Sequence, residues 1–165
     1  MSKHLLLGNE AIAQAALDAG ISGVYAYPGT PSTEITEYIQ SVSQHWQEKI
    51  HSRWCTNEKT AMEAALGMSY IGKRALGMNV AADAFVNSGM TGVNGGIIVL
   101  AADDPSMHSS QNEQDSRFYG DFTFVPILEP SNQQEAYNMV LAGFELSEKY
   151  KIPVLMRITT RLAHS

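Results

Sequence analysis

Apolar residues along the chain follow two alternating rhythms. From Asn9 to Ala19 they recur at Ile12, Ala15 and Ala16, the spacing of one helix face, and the pattern stops at Gly20. Gly23 to Tyr27 reads as a short strand ended by Pro28-Gly29. Pro31 suits the first turn of a second helix, running through Ile35 and Ile39 towards Trp46. Ile50 to Trp54 is strand-like, and a third helix opens at Glu58 and reaches about Gly72. The unbroken apolar run from Ile97 to Ala102, set between Gly95-Gly96 and Asp103-Asp104-Pro105, predicts a buried strand. Val125 to Leu128 is a weaker strand because it contains Pro126. Ser131-Asn132-Gln133-Gln134 reads as a capping box, opening a helix that carries Ala136, Val140, Phe144 and Leu146 to Lys151. Ile152 to Thr159 is the last strand.

Strands separated by helices predict an α/β domain: three layers, α/β/α, around a mostly parallel central sheet. At 165 residues and 44% hydrophobic composition the chain suits one domain with its own core, and no repeat, linker or low-complexity run divides it. A net charge of −6 without any basic block argues against nucleic acid or an anionic membrane as the main partner. The apolar runs are too short to cross a bilayer, and the start, Met1 to Glu10, does not read as a cleavable signal. Its single cysteine, Cys55, allows no internal disulfide and no iron–sulfur cluster ligated within this chain. A cytoplasmic protein is expected.

In sheets of this kind ligands sit beyond the carboxyl ends of the strands. Three distinctive stretches fall there: Tyr27 to Ile35, Thr56-Asn57-Glu58, and the polar run from Asp103 to Arg117. Glu58 opens a helix rich in small residues, where a first-turn carboxylate either complements the helix dipole or faces a ligand beyond the helix end. The Tyr27-Pro28-Gly29-Thr30-Pro31-Ser32 turn is stiffened by its prolines and presents the Thr30 hydroxyl near a helix start; it also reads as a plain β–α turn. Asp103-Asp104 could hold a cation, but paired acids at a strand end more often form turns and caps. Arg117 has two readings, an internal pair with Asp115 or Glu113 and a bidentate contact with a carboxylate ligand. The glycines at 89, 92, 95 and 96 suit tight packing or a turn. There is no phosphate-cradling glycine motif, no nucleophile elbow around His108-Ser109-Ser110, and no metal-ligand spacing among the histidines.

Taken together, these stretches resemble the 2-oxoacid:ferredoxin oxidoreductases that use thiamine diphosphate, and within them most closely the alpha subunits that act on indolepyruvate. The resemblance runs through Gly8 to Ala11, Tyr27 to Ile35, Asn57 to Gly67, Asn79 to Asp83, Ala102 to Arg117, Leu128 to Ser131 and Thr159 to Ser165. It implies a pyrimidine-binding domain in which Glu58 hydrogen-bonds the aminopyrimidine ring, with Gly67 at the matching distance along the helix. Thr30, Pro31 and Asn79 are the further cofactor contacts it implies, and Thr30, His108, Gln111 and Arg117 are candidate substrate contacts. A carboxyl group in a dry, alanine-lined slot has a reason to keep or share a proton, as that chemistry needs. Phe118, Tyr119 and Phe122 either line an aromatic pocket or belong to the core.

The same resemblance implies oxidative decarboxylation of arylpyruvates to acyl-coenzyme A. The magnesium-bearing diphosphate domain, the iron–sulfur clusters, a beta subunit and ferredoxin would all lie outside these 165 residues, which end where the pyrimidine domain of the family ends. Cofactor clasped between chains makes a homo-oligomer expected. Arg74 to Asn79 is several residues shorter than the family pattern, which suggests residues absent between Leu76 and Gly77 in a loop beside the cofactor. An alternative is the small subunit of a non-oxidative sulfopyruvate or phosphonopyruvate decarboxylase, for which a lone domain of this length is natural.

Overall fold

Every residue of Ile97–Asp103 is buried, and its alternate side chains enter two different cores. Ile98, Leu100 and Ala102 meet one core, while Ile97, Val99 and Ala101 meet the other, so the strand must lie between two helical layers. The protein, a computed structural model, describes residues 4–42, 49–78 and 81–165.

In chain order the first elements are α1 (Gly8–Asp18), β1 (Gly23–Ala26), α2 (Thr33–Ser41), β2 (His51–Trp54), α3 (Glu58–Tyr70) and β3 (Ala75–Met78). They are followed by α4 (Ala82–Thr91), β4 (Ile97–Asp103), α5 (Arg117–Thr123), β5 (Ile127–Leu128), α6 (Gln133–Tyr150), β6 (Val154–Thr159) and α7 (Thr160–Ala163). The six strands are all parallel, in the order β2-β1-β3-β4-β6-β5. Helices α1, α2 and α6 bury Ile12, Ile35, Ile39, Val140 and Phe144 on one face. Helices α3 and α4 bury Ala61, Met62, Ala65, Leu66 and Phe85 on the other. The three-layer α/β/α architecture expected from the alternation of elements is the one observed.

Three details differ from the sequence reading. Pro31 precedes α2 by two residues instead of sitting in its first turn, because Ser32 N–H returns to the Gly29 carbonyl (3.1 Å) and closes a turn first. The far end of that helix, towards Trp46, lies outside the described residues. The cap of α6 is Asn132, one residue later than expected: its side chain accepts from Glu135 N–H, while Glu135 accepts from Ser131 N–H at 2.7 Å. Gly67 faces outward with open space where a Cβ would stand, so the packing face of α3 is Ala61, Met62, Ala65 and Leu66.

β3 is short, and Leu76 and Gly77 are consecutive in it. Leu76 pairs with Val24 and Ile98, and Gly77 with Tyr25 and Val99, so four residues suffice to join both neighbours. The pairing with β4 ends at Met78 opposite Leu100. Ala101, Ala102 and Asp103 therefore have β6 on one side and no described strand on the other.

Candidate functional site

From β1 the chain goes outward to β2 by a helix on one face, then returns past β1 to β3 by α3 on the opposite face. The order reverses between β1 and β3, and such a switch point leaves a crevice at the carboxyl ends of the strands. A cleft of about 500 Å³ lies here. Thr30 borders it from the β1–α2 turn, Asn57 and Glu58 from the start of α3, and Ala81 from just before α4. Ala101 and Ala102 of β4 contribute small side chains, and Gln111, Gln114, Ser116 and Tyr119 close the far side.

Glu58 is the first residue of α3 because Asn57 takes the cap: its Oδ1 accepts from Thr60 N–H at 2.9 Å. A carboxylate at that position sits beside the unpaired amides of the helix end. The next residue, Lys59, donates to Asp83 in the first turn of α4 at 2.8 Å, tying the two helix mouths together. That bond raises the Lys59 pKa and lowers that of Asp83. Behind Thr30, the fully buried Asn9 donates to the Pro31 carbonyl (2.6 Å) and to Glu34 (3.0 Å), anchoring the turn to α1. The Thr30–Pro31 peptide is cis.

The acids ending β4 organise the loop that follows them. Asp103 is wholly buried, receives Arg157 Nε at 2.5 Å, and accepts from both Ser116 N–H (2.8 Å) and Ser116 Oγ (2.5 Å). Arg157 also reaches Glu129. Asp104 accepts from the amides of Ser109 (2.6 Å) and Ser110 (2.7 Å) and from Thr160 Oγ1 (2.7 Å). Burial works to raise the Asp104 pKa, but those bonds outweigh it and hold the carboxyl well below the usual range. The pair forms turns and caps, and among the described residues no cluster of three or more His, Cys, Asp or Glu could hold a metal ion.

The expected site residues divide. Glu58, Thr30 and Gln111 line the cleft together. Pro31 is buried behind it, and Asn79 lies outside the described residues. His108 and Arg117 are exposed and do not line it. Arg117 turns to Asp115 with two bonds of 2.8 and 2.5 Å, which hold the Asp115 carboxyl well below its ordinary range. A carboxylate two residues away leaves that guanidinium no reason to reach the cleft. The dry slot is also corrected: Glu58 is half-buried on the wall of a cleft whose other side is largely amides and hydroxyls. The aromatic residues split as well, since Phe118 and Phe122 are about 70% exposed whereas Tyr119 lines the cleft. The sequence reading did not single out Gln114 or Ser116, although both lie within its polar run; only the fold of the loop brings them inward.

Residues 14–165 match the family model described as pyruvate flavodoxin/ferredoxin oxidoreductase, thiamine diphosphate-binding. The chain belongs to that family. Among curated members, the indolepyruvate oxidoreductase subunit IorA of Thermococcus kodakarensis is 50% identical over 98% of this chain, and that of Pyrococcus horikoshii 49% over 98%. In both cases the chain spans 26% of the relative's length. A solved 2-oxoglutarate:ferredoxin oxidoreductase from Magnetococcus marinus, with 2-oxoglutarate, coenzyme A and succinyl-CoA bound, superposes with a TM-score of 0.80. The superposition covers 96% of this chain and 30% of that one at 20% identity, a likeness of fold. Among the described residues of this thiamine diphosphate-binding family member, no helix is long and apolar enough to cross a membrane.

Proposed function

We propose that the chain is the pyrimidine-binding domain of an arylpyruvate:ferredoxin oxidoreductase, with Glu58 as its catalytic carboxylate. The observation that carries this is the placement of Glu58 at the first position of α3, on the wall of a cleft at the sheet's switch point. The residues suit the aminopyrimidine half of thiamine diphosphate: a carboxylate to meet a ring nitrogen, and Ala81, Ala101 and Ala102 small enough to lie against a flat ring. They do not suit the diphosphate half, because Lys59, the only cation lining the cleft among the described residues, is bound to Asp83. The diphosphate and its magnesium belong to a second domain, in the same or another chain.

When bound, the cofactor supplies a carbon nucleophile and an electron sink for decarboxylation. Glu58, at the first position of α3, holds and moves a proton at its carboxylate. The companion domain closes the open side of the cleft and gives Glu58 the poorly hydrated setting this chain alone lacks. Thr30 offers its hydroxyl at the rim, and Gln111 a neutral amide, to orient a 2-oxoacid. The family resemblance carries Asn79 as a further cofactor contact and His108 and Arg117 as further substrate contacts, although neither of these two lines the cleft and Arg117 pairs with Asp115 in this chain. Iron–sulfur clusters, coenzyme A, a beta subunit and ferredoxin complete the enzyme outside these residues, and a cytoplasmic homo-oligomer fits this assembly. The names of the archaeal relatives support indolepyruvate as substrate and favour the oxidoreductase over a sulfopyruvate or phosphonopyruvate decarboxylase.

The test is Glu58→Gln in the complete enzyme, assayed at saturating thiamine diphosphate. Loss of a positioned proton-transfer group lowers kcat by about 10²–10⁴-fold. Unchanged turnover sinks the assignment.

A further inference from the structure

Among the described residues lining the cleft Tyr119 is the one aromatic, and it is held from several sides. Its ring meets the fully buried Phe85 edge-on, with centroids 6.5 Å apart and planes at 80°. Its N–H donates to the Ser116 carbonyl at 3.1 Å, and its own carbonyl accepts from Thr123 Oγ1 at 2.5 Å. Ser116, where α5 begins, is pinned by the buried Asp103, which Arg157 locks in turn. The backbone at Tyr119 is therefore held and its ring packed on Phe85 before any ligand arrives, and an aromatic anchor of that kind binds with little further loss of freedom. Its neighbours in the cleft include the amides of Gln111 and Gln114, while Ala101 and Ala102 are left to the cofactor ring. One anchored ring with amide hydrogen-bonding partners matches a flat aryl group better than a short alkyl chain.

We infer that Tyr119 is a specificity residue that receives the aromatic ring of an aryl 2-oxoacid and favours it over pyruvate. The inference rests on the cofactor reading above and deepens it. The experiment uses the complete enzyme carrying Tyr119→Ala, Tyr119→Leu or Tyr119→Phe, with indolepyruvate, phenylpyruvate and pyruvate as substrates. Thiamine diphosphate affinity is measured separately by fluorescence titration. The ratio of kcat/KM for the aryl substrates to that for pyruvate should fall about tenfold in Tyr119→Ala, mainly through KM, and stay within about threefold in Tyr119→Phe. Tyr119→Leu keeps an apolar body against Phe85 and should lose the ratio as Tyr119→Ala does. An unchanged ratio, or a loss wholly explained by weaker cofactor binding, overturns the inference. Thiamine-dependent turnover in the unmutated enzyme without any aryl preference overturns it while leaving the proposed function standing. Absence of any thiamine-dependent 2-oxoacid turnover overturns both.

Discussion

Glu58 owes its position to its neighbour: with Asn57 as cap, the first helical carboxylate has to stand at the cleft. Asn57→Ala should cost about 1 kcal/mol of stability, seen as a lower denaturation midpoint, and should weaken thiamine diphosphate binding in the same protein. Asp104 shows a different residue-scale effect. Its folded pKa is depressed, so the stability it contributes is complete above the unfolded value of about 3.9 and is lost as pH falls through the lower folded value. Asp104→Asn should lower the melting temperature at pH 7 and flatten its decline below about pH 4, checked by thermal melts across that range. Glu58 and Thr30 were legible because helix starts and strand ends leave marks in sequence. Arg117 was not, because its partner Asp115 and its ligand reading were equally compatible with spacing alone.

At the scale of elements, segments with a clear apolar pattern were read correctly and those without one were missed. α1 and β4 fall within a residue or so of expectation, since each carries an unbroken pattern. α4 was not recognised because only Ala84, Phe85 and Ser88 of its ten residues are buried, too few to print an apolar stripe. The glycines beyond it do what was expected of them: Gly92 ends the helix at φ +77°, and a Cβ on Gly95 would stand 2.5 Å from the Lys73 backbone. The loop from β4 to α5 depends on a buried ion pair that no local pattern announces. Breaking one partner of such a pair leaves the other charge buried, so Arg157→Met should destabilise by about 3–5 kcal/mol in a urea titration.

For the whole molecule, the layer order followed from alternation of strands and helices, whereas the cleft required knowing where the strand order reverses. Under the proposed function, the open cleft with its half-buried Glu58, whose one described cation is Lys59, is half of a shared site. Isothermal titration should find thiamine diphosphate binding weak to this chain alone, and at least about tenfold tighter once the companion domain is supplied. Equal affinity in the two samples argues against a shared site.

Beyond Met78, β4 runs on for three residues with no described strand on that side, where Gln114 Nε2 lies 3.5 Å from the Ala102 carbonyl. A guest settling in the cleft against Ala101 and Ala102 packs on this stretch, so filling the cleft and stiffening the sheet become one event. Heat tolerance of the assembled protein should then climb with guest concentration, as mass action requires, and amide exchange should slow first along this stretch of backbone.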